Sequence, residues 1–289
     1  MTHLQKTLAV SQRRACRAIG QSRSSQRYRA AGRDDEGKLV AAMLGLARRK
    51  PRWGYRMVWA ALRGQGWRVN RKRVHRLWRK EGLKVRQKQH KRRRLGSGAN
   101  GITRRRATHK NHVWCWDFIH DRTEDGRALK WLSIVDEFTR ECLALEVGRG
   151  MTSGRVIDVL IELLHVRGLP GHIRSDNGPE FIAKAIRRWL EGAGVKTLYV
   201  APASPWENGY AESFHSRLRD ELLDAELFTS LAEARHLAGV WRLEYNHRRP
   251  HSSLGYVTPA AFAATCAAAP SATLREQQHT RNISHPVLS

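Results

Sequence analysis

The sequence predicts a mixed α/β fold, in which helices flank a sheet, preceded by small all-α segments. After residue 111, apolar segments of strand length alternate with segments of helical periodicity, whereas the preceding third contains short basic helical patterns. The hydrophobic content of 41% is ordinary for a globular protein, and 289 residues allow one large domain with small accessories.

The charge divides the chain at the same place. Residues 1–110 contain 33 Lys and Arg against 4 Asp and Glu, whereas residues 111–289 contain 20 against 22. The balances are therefore +29 and −2, which together give the net charge of +27. This asymmetry indicates a basic nucleic-acid-binding region joined to a near-neutral domain.

The sequence gives little indication of a membrane-spanning segment or of disulfide bonds. No apolar stretch approaches the roughly 18 residues of a spanning helix, and the first residues lack the apolar region of a signal peptide. We therefore expect a cytoplasmic protein that binds no membrane. Cys16 and Cys266 lie far from Cys115 and Cys142, which disfavours zinc clusters and disulfides. The last two are expected to be small buried residues.

The first segment, residues 1–30, predicts a short basic arm that resembles a helix-turn-helix. Ser11 can cap a first helix, Gly20 can end it, and a second helix can begin near Ser22. A loosely ordered basic arm is an equally good interpretation.

Residues 38–82 predict a helix-turn-helix DNA-binding domain. Two helices are expected over 38–50 and 55–63, and Asn70 can cap a third that Gly82 ends. Residues 83–110 have almost no apolar periodicity and several Lys and Arg runs, which is typical of a flexible basic linker.

The third helix combines one apolar stripe with many cations. Val74, Leu77 and Trp78 share one face at helical spacing. The predicted DNA contacts on its other faces are Arg71, Lys72, Arg73, Arg76, Arg79 and Lys80. A short helix of this kind suits a major groove, and a solvated basic face is the alternative.

Residues 111–262 predict the sheet domain, and residues 263–289 predict a flexible Ala-rich and polar tail. The expected strands are 113–119, 129–138, 142–147, 172–175 and 195–200. The expected helices are 153–166, 179–191, 205–223 and 233–246.

Two carboxylates lie on or beside predicted strands. Asp117 interrupts an apolar strand, where an ionised group is costly to bury, and the adjacent Trp116 argues against an exposed edge. Asp176 directly follows the strand 172–175, and ligands of open α/β sheets bind at such strand ends. The sequence around Asp176 is also typical of a turn. We expect four other carboxylates near strand ends and turns to lie on the surface: Asp121, Asp125, Asp136 and Glu137.

A third carboxylate, Glu212, lies on a two-sided helix. Tyr210, Phe214 and Leu218 form its core face at spacings of four. The opposite polar face contains Asn208, Glu212, Ser216 and Arg219. A solvated surface helix would show the same pattern. Three carboxylates that converge would suit divalent metal ions. On so basic a chain, the natural substrate for such metal ions is a phosphodiester.

Several motifs resemble one known family. They are Trp116-Asp-Phe118, Ser175-Asp-Asn-Gly-Pro-Glu-Phe181, Ser204-Pro-x-x-Asn-Gly-x-x-Glu-Ser-Phe214, Tyr245-Asn-x-x-Arg-Pro-His251 and Trp53-Gly-Tyr-Arg56. Together they resemble the DDE transposases, relatives of retroviral integrases, and more narrowly the type encoded by the second open reading frame of a two-frame bacterial insertion sequence. The resemblance covers roughly residues 9–262.

The resemblance implies a ribonuclease-H-like core that binds two Mg²⁺ ions, or Mn²⁺ in their place, through Asp117, Asp176 and Glu212. It also implies DNA cleavage at element ends: water exposes a 3′-hydroxyl, which then attacks a second phosphodiester. The expected DNA contacts of the core are Asn177, Asn208 and Arg219, since the family carries a basic residue seven positions after the glutamate.

The implied partners are double-stranded DNA, at element ends and targets, and further copies of the chain in a multimer on DNA. The implied location is the bacterial nucleoid. The zinc module of integrases is missing here, and an upstream-frame partner or fusion is expected to complete recognition of the DNA ends. One alternative is a non-enzymatic DNA-binding regulator derived from a transposase, and another is a nuclease of the same fold.

Overall fold

The computed structural model describes residues 6–28, 34–85, 106–175, 184–199 and 209–266. They belong to two compact units, Met1–Arg48 and Arg49–Ser289. Among the helices in these ranges, none has the length and apolar character needed to cross a membrane.

The first unit begins with two short helices, α1 (Gln12–Ala18) and α2 (Arg23–Arg27). The Ser11 side chain caps α1 by accepting the Arg14 N–H at 3.3 Å, and the Ser22 side chain caps α2. Gly20 turns the chain between them with a φ of 67°. The two helices and the glycine turn match the secondary structure expected for this segment, and the helix-turn-helix-like arm stays a prediction.

Helix α3 (Glu36–Arg49) has the amphipathic pattern expected over 38–50. It buries Leu39, Met43 and Leu46, which are spaced by four and three residues. These positions share one face of a helix.

The second unit begins with α4 (Tyr55–Gly64) and α5 (Arg71–Lys80), which pack against each other. The Asn70 side chain caps α5 by accepting the Lys72 N–H at 2.9 Å, and Gly82 follows with a φ of 66°. The fully buried side chains of the pair are Val58, Leu62, Val74 and Leu77. The predicted start, end and apolar stripe of α5 are confirmed.

Five strands form one sheet, in the order β3-β2-β1-β4-β5. They are β1 (Val113–Arg122), β2 (Ala128–Asp136), β3 (Cys142–Gly148), β4 (His172–Ser175) and β5 (Lys196–Tyr199). β1 lies in the middle, antiparallel to β2 and parallel to β4. The predicted mixed α/β class is confirmed. β1 is longer than expected, because its polar end Arg122 still pairs with Ala128 of β2.

Helices cover the sheet. They are α6 (Ser153–Arg167), α7 (Lys184–Gly192), α8 (Gly209–Leu218) and α9 (Leu231–His247), and a further helix, α10 (Pro259–Thr265), packs on α9. A π-helical turn, Arg219–Leu223, continues α8 where we expected one α-helix. The predicted starts at 179 and 205 lie outside the described residues, and α10 continues past residue 262.

Two cores lie on opposite faces of the sheet because side chains alternate along a strand. Trp114 and Trp116 point into the core that α6 and α7 cover. Cys115 and Ile119 point into the core beneath α8 and α9. Asp117 lies two residues after Cys115 and two before Ile119, so its side chain is on the same face of the sheet, the α8 side.

The edge strand β3 is closed by side chains of α9. The Asn246 amide accepts the Cys142 N–H and donates to the Cys142 carbonyl, both at 2.9 Å. Arg242 donates to the Leu143 carbonyl at 2.7 Å. These contacts occupy backbone groups that would otherwise offer an exposed edge for pairing.

Two carboxylates that we expected on the surface are buried. Asp136 is fully buried, and its side chain accepts backbone N–H groups of Asn111, Phe138 and Thr139 at 2.7–2.9 Å. Glu137 is also buried, and Arg174 donates to it at 2.8 Å. The prediction was wrong for both, because a turn position says nothing about the partners that folding supplies.

Candidate functional site

Asp117 lies in the middle of the central strand, opposite Ser133 of β2. Its side chain is 19% exposed, so a carboxylate reaches solvent from an otherwise apolar strand. One carboxylate oxygen, Oδ1, accepts the Phe118 N–H at 2.7 Å. The expectation of a carboxylate held within the sheet is thus confirmed, with the side chain only partly buried.

Helix α8 packs on β1 and carries Glu212 in its first turn. Ala211, Phe214 and Leu218 are buried and anchor α8 on the core. The Glu212 side chain is exposed, and it makes no hydrogen bond or ion pair with the described residues. The predicted two-sided helix is therefore confirmed, with Tyr210 only half-buried on its core side.

His215 links the two elements. Its Nδ1 lies 3.6 Å from Asp117 Oδ2, and its Nε2 lies 2.9 Å from the Ser133 hydroxyl. The same hydroxyl lies 3.1 Å from the Asp117 carbonyl oxygen. This histidine is one helical turn after Glu212, so α8 brings the glutamate to the side of the sheet where Asp117 lies.

The imidazole beside Asp117 is neutral near pH 7. Burial, and then the positive charge of Arg219, lower the pKa of His215 to about 4. These effects outweigh the carboxylate of Asp117, which favours the charged ring. His215 therefore lies beside Asp117 as a neutral ring and does not cancel the charge of the carboxylate.

Sequence reasoning missed His215. The helical pattern already placed it three residues after Glu212 and thus on the same side of α8. It was passed over because the polar face was defined by Asn208, Ser216 and Arg219. Its contact with a strand 82 residues away in sequence, through Ser133, is visible only in the fold.

The described carboxylates fit a hard divalent cation. Asp117 and Glu212 offer oxygen ligands of the kind that Mg²⁺ takes, on two elements that pack together. No group of three His, Cys, Asp or Glu residues that could hold a metal occurs in the described ranges. Asp176 is outside them; it follows Ser175, the last residue of β4, and β4 is the parallel neighbour of β1.

The predicted DNA contacts are distributed over the second unit. Arg219 is exposed at the start of the π-helical turn and lies near His215, whose pKa it lowers. The exposed cations of α5 are Arg71, Lys72, Arg76, Arg79 and Lys80, and Arg73 is half-buried. Asn177 and Asn208 lie outside the described residues.

Family models match most of the chain in pieces. A model described as "Integrase core domain" matches residues 107–205, and a second model of that description matches residues 193–259. A model described as "HTH-like domain" matches residues 34–93.

Curated relatives match most of the chain. The "Insertion element IS407 uncharacterized 31.7 kDa protein" of Burkholderia multivorans is 37% identical over 91% of this chain and 94% of its own length. "Transposase InsD for insertion element IS2D" of Escherichia coli is 31% identical over 73% of each chain.

Among solved structures, the chain is similar to the simian T-cell lymphotropic virus intasome in complex with PP2A regulatory subunit B56 gamma. The TM-score is 0.50 at 17% identity, covering 79% of this chain and 77% of the other. This similarity shows a shared ribonuclease-H-like fold.

Proposed function

Because this chain belongs to the DDE transposases that bacterial insertion elements encode in a second open reading frame, we propose that it cleaves the ends of such an element and joins them to target DNA. The observation that carries this proposal is the contact of α8 with β1 through His215, which supports Asp117 and Glu212 acting at one site.

The proposed catalytic residues are Asp117, Asp176 and Glu212, which would hold two Mg²⁺ ions, with Mn²⁺ as a substitute. Such ions, when bound, activate the attacking oxygen and stabilise the leaving one. Asp117 supplies a negative charge from a rigid central strand. Glu212 supplies a second negative charge from the exposed first turn of α8. Its side chain can move without breaking a contact among the described residues.

The proposed reaction has two steps. In the first, water attacks a phosphodiester at the element end, the P–O3′ bond breaks, and the leaving oxygen takes a proton to become a 3′-hydroxyl. In the second, this hydroxyl attacks a target phosphodiester, forms a new P–O bond and displaces the target 3′-oxygen. His215 positions Asp117 during both steps as a neutral ring.

We further propose that α5 and Arg219 contact the DNA, with Asn177 and Asn208 beside the catalytic carboxylates. Element ends must be brought together, so we propose a homo-multimer on DNA in the nucleoid. An upstream-frame protein is proposed as partner or fusion for complete recognition of the ends.

The test is incubation of the purified chain with labelled element-end DNA and Mg²⁺. Nicked and joined strands are expected from the wild type. Asp117→Asn, Asp176→Asn and Glu212→Gln should each lower the cleavage rate by roughly two to three orders of magnitude, as expected for loss of a charge-stabilising group. DNA affinity should stay at the wild-type value.

A control variant is Glu146→Gln on β3, which removes a half-exposed carboxylate paired with Arg155 outside the site. It should cleave at the wild-type rate. DNA binding without any cleavage by the wild type would instead support the non-enzymatic regulator. Full activity in one of the three carboxylate variants would remove that residue from the site.

A further inference from the structure

A cleft of about 660 Å³ opens within the second unit, separate from the carboxylate site. Its walls come from three stretches: residues 52–57 at the start of α4, the helix α8, and the turn at residues 249–256. Arg140, between β2 and β3, also lines it. The cleft thus joins the resemblance motifs at 53–56 and 245–251, which the proposed chemistry leaves without a role.

The lining is strongly positive. Among the described residues that line it, five arginines face two carboxylates: Arg52, Arg56, Arg140, Arg217 and Arg249 against Asp220 and Glu221. Arg249 is paired with Glu221, since its Nε and Nη2 donate to the Glu221 oxygens at 2.7–2.9 Å. Nη1 of Arg217 lies 4.0 Å from Oδ2 of Asp220. No ion pair of Arg52, Arg56 or Arg140 is found among the described residues, so their charge is open to an anion.

Arg140 is held in an uncommon position. Its φ of 64° is left-handed, a conformation that residues other than glycine rarely adopt. The guanidinium carbon stacks 3.7 Å from the centre of the Tyr210 ring. Its Nη1 is buried and has no hydrogen-bond partner among the described residues. Backbone strain together with an unsatisfied buried donor points to a ligand that completes the site.

His251 supplies a second unsatisfied atom in the same cleft. The residue is 8% exposed, and its buried Nε2 has no hydrogen-bond partner in the described part of the chain. Burial and the charge of Arg249 lower the pKa of His251 to about 3, so the ring is neutral near pH 7. It can therefore donate or accept one hydrogen bond beside the guanidinium of Arg140.

The cleft and the carboxylates share α8 as a wall. Tyr210 and Arg217, which line the cleft, lie about 160° and 140° round the helix from Glu212 by the 3.6-residue repeat. A helix with its side chains is about 10–12 Å across. That thickness corresponds to about three base-pair steps of DNA at about 3.4 Å each. Because DNA must pass round α8, about three steps is the least separation between a phosphate at the carboxylates and another of the same strand at the cleft.

We propose that this cleft is a phosphodiester subsite for the DNA substrate, in which Arg140 and Arg56 contact a backbone phosphate away from the scissile bond. The guanidinium groups match the oxygens of a phosphate. The phenol oxygen of Tyr55 accepts a hydrogen bond from Arg56 Nε at 3.2 Å and orients the Arg56 guanidinium. The proposal rests on DNA being the substrate.

The test measures the affinity of the full chain for a fluorescein-labelled DNA duplex over a range of salt concentrations. Any duplex serves, because phosphate contacts carry no sequence information. Arg140→Gln and Arg56→Gln should each lower affinity several-fold and reduce the slope of log K against log salt by about one. Arg140→Lys, which keeps the charge, should retain a slope close to that of the wild type.

The matched control is Arg127→Gln, an exposed arginine in the turn between β1 and β2. It removes the same charge and should leave the slope unchanged. Wild-type slopes in Arg140→Gln and Arg56→Gln, or an equal loss in Arg127→Gln, would overturn the subsite. Circular dichroism establishes that each variant is folded. If the subsite alone is wrong, the wild type still cleaves DNA; if the proposed function is wrong, the wild type does not cleave DNA, whether or not it binds it.

Discussion

Helix α8 has two sides with opposite chemistry. One side carries Glu212, which is one helical turn before His215, and His215 lies beside Asp117 of β1. The other side carries Tyr210 and Arg217 and forms a wall of an arginine-lined cleft. Glu212 of the acidic site and Arg217 of the arginine-lined cleft are therefore held on one helix, which sets their separation.

The first prediction concerns stability, to which the Arg249–Glu221 ion pair of the cleft side should contribute and the exposed Glu212 should not. Arg249→Met leaves the carboxylate of Glu221, 10% exposed, without its partner and should lower the free energy of unfolding by about 3–5 kcal/mol. Glu212→Gln, on the other side, should change it by less than about 0.5 kcal/mol. Urea denaturation measures both. The double variant Arg249→Met/Glu221→Leu should recover most of the loss, and failure to recover would mean that the ion pair is not the cause.

The second prediction uses the buried neutral histidines, one on each side of α8. The folded chain holds the pKa of His215 at about 4 and that of His251 at about 3, below the unfolded value of 6.5. The unfolded chain therefore binds these protons first as pH falls from 6.5 towards 4, and stability should fall by about 1.4 kcal/mol per pH unit for each ring. Stability that does not decrease in this range would contradict both shifts.

Single variants separate the two rings. His251→Asn and His215→Asn should each reduce the pH dependence of the unfolding free energy by about 1.4 kcal/mol per pH unit, which corresponds to one proton. Urea denaturation between about pH 6.5 and about pH 5 measures this. A slope unchanged by either substitution would show that the ring concerned is already protonated in the folded chain.

The third prediction concerns catalysis on the β1 side. His215→Leu removes the support of Asp117 and should slow cleavage by about 10- to 100-fold, the effect of losing a side chain that orients a metal ligand. His215→Gln can still bond to Ser133 and should recover part of the rate. Single-turnover cleavage assays measure this, with the exposed His236→Gln as control. Loss in kcat with an unchanged KM would separate positioning from a weakened fold.

The fourth and smallest effect belongs to Arg219, which is exposed beside the acidic site. Arg219→Gln should weaken duplex binding several-fold and reduce the salt slope by about one, without a change in the unfolding free energy. Fluorescence anisotropy at several salt concentrations measures it. If Arg219→Gln leaves the slope intact while Arg140→Gln lowers it, DNA contacts only the cleft side of α8.

Much of this arrangement is predictable from local sequence. The caps Ser11 and Asn70, the strand β4 and the apolar stripe of α5 follow from short-range rules, because capping and periodicity act within a few residues. The position of Asp117 within an otherwise apolar strand is read directly from its neighbours in the sequence.

What the sequence did not predict depends on distant partners. Asp136 looked exposed, yet backbone N–H groups of a turn and of Asn111 enclose it. The role of His215 depends on Ser133, and the cleft depends on Arg140 meeting Tyr210. Long-range contacts of this kind produce no periodic pattern in the sequence.

The central claim is that Asp117 and Glu212 bind the same metal centre, and Mn²⁺ titration followed by electron paramagnetic resonance tests it most directly. Asp117→Asn and Glu212→Gln should each weaken Mn²⁺ binding by at least about tenfold, since loss of even a supporting side chain has that effect. Glu146→Gln should bind like the wild type. Wild-type Mn²⁺ affinity in either Asp117→Asn or Glu212→Gln would contradict the shared centre.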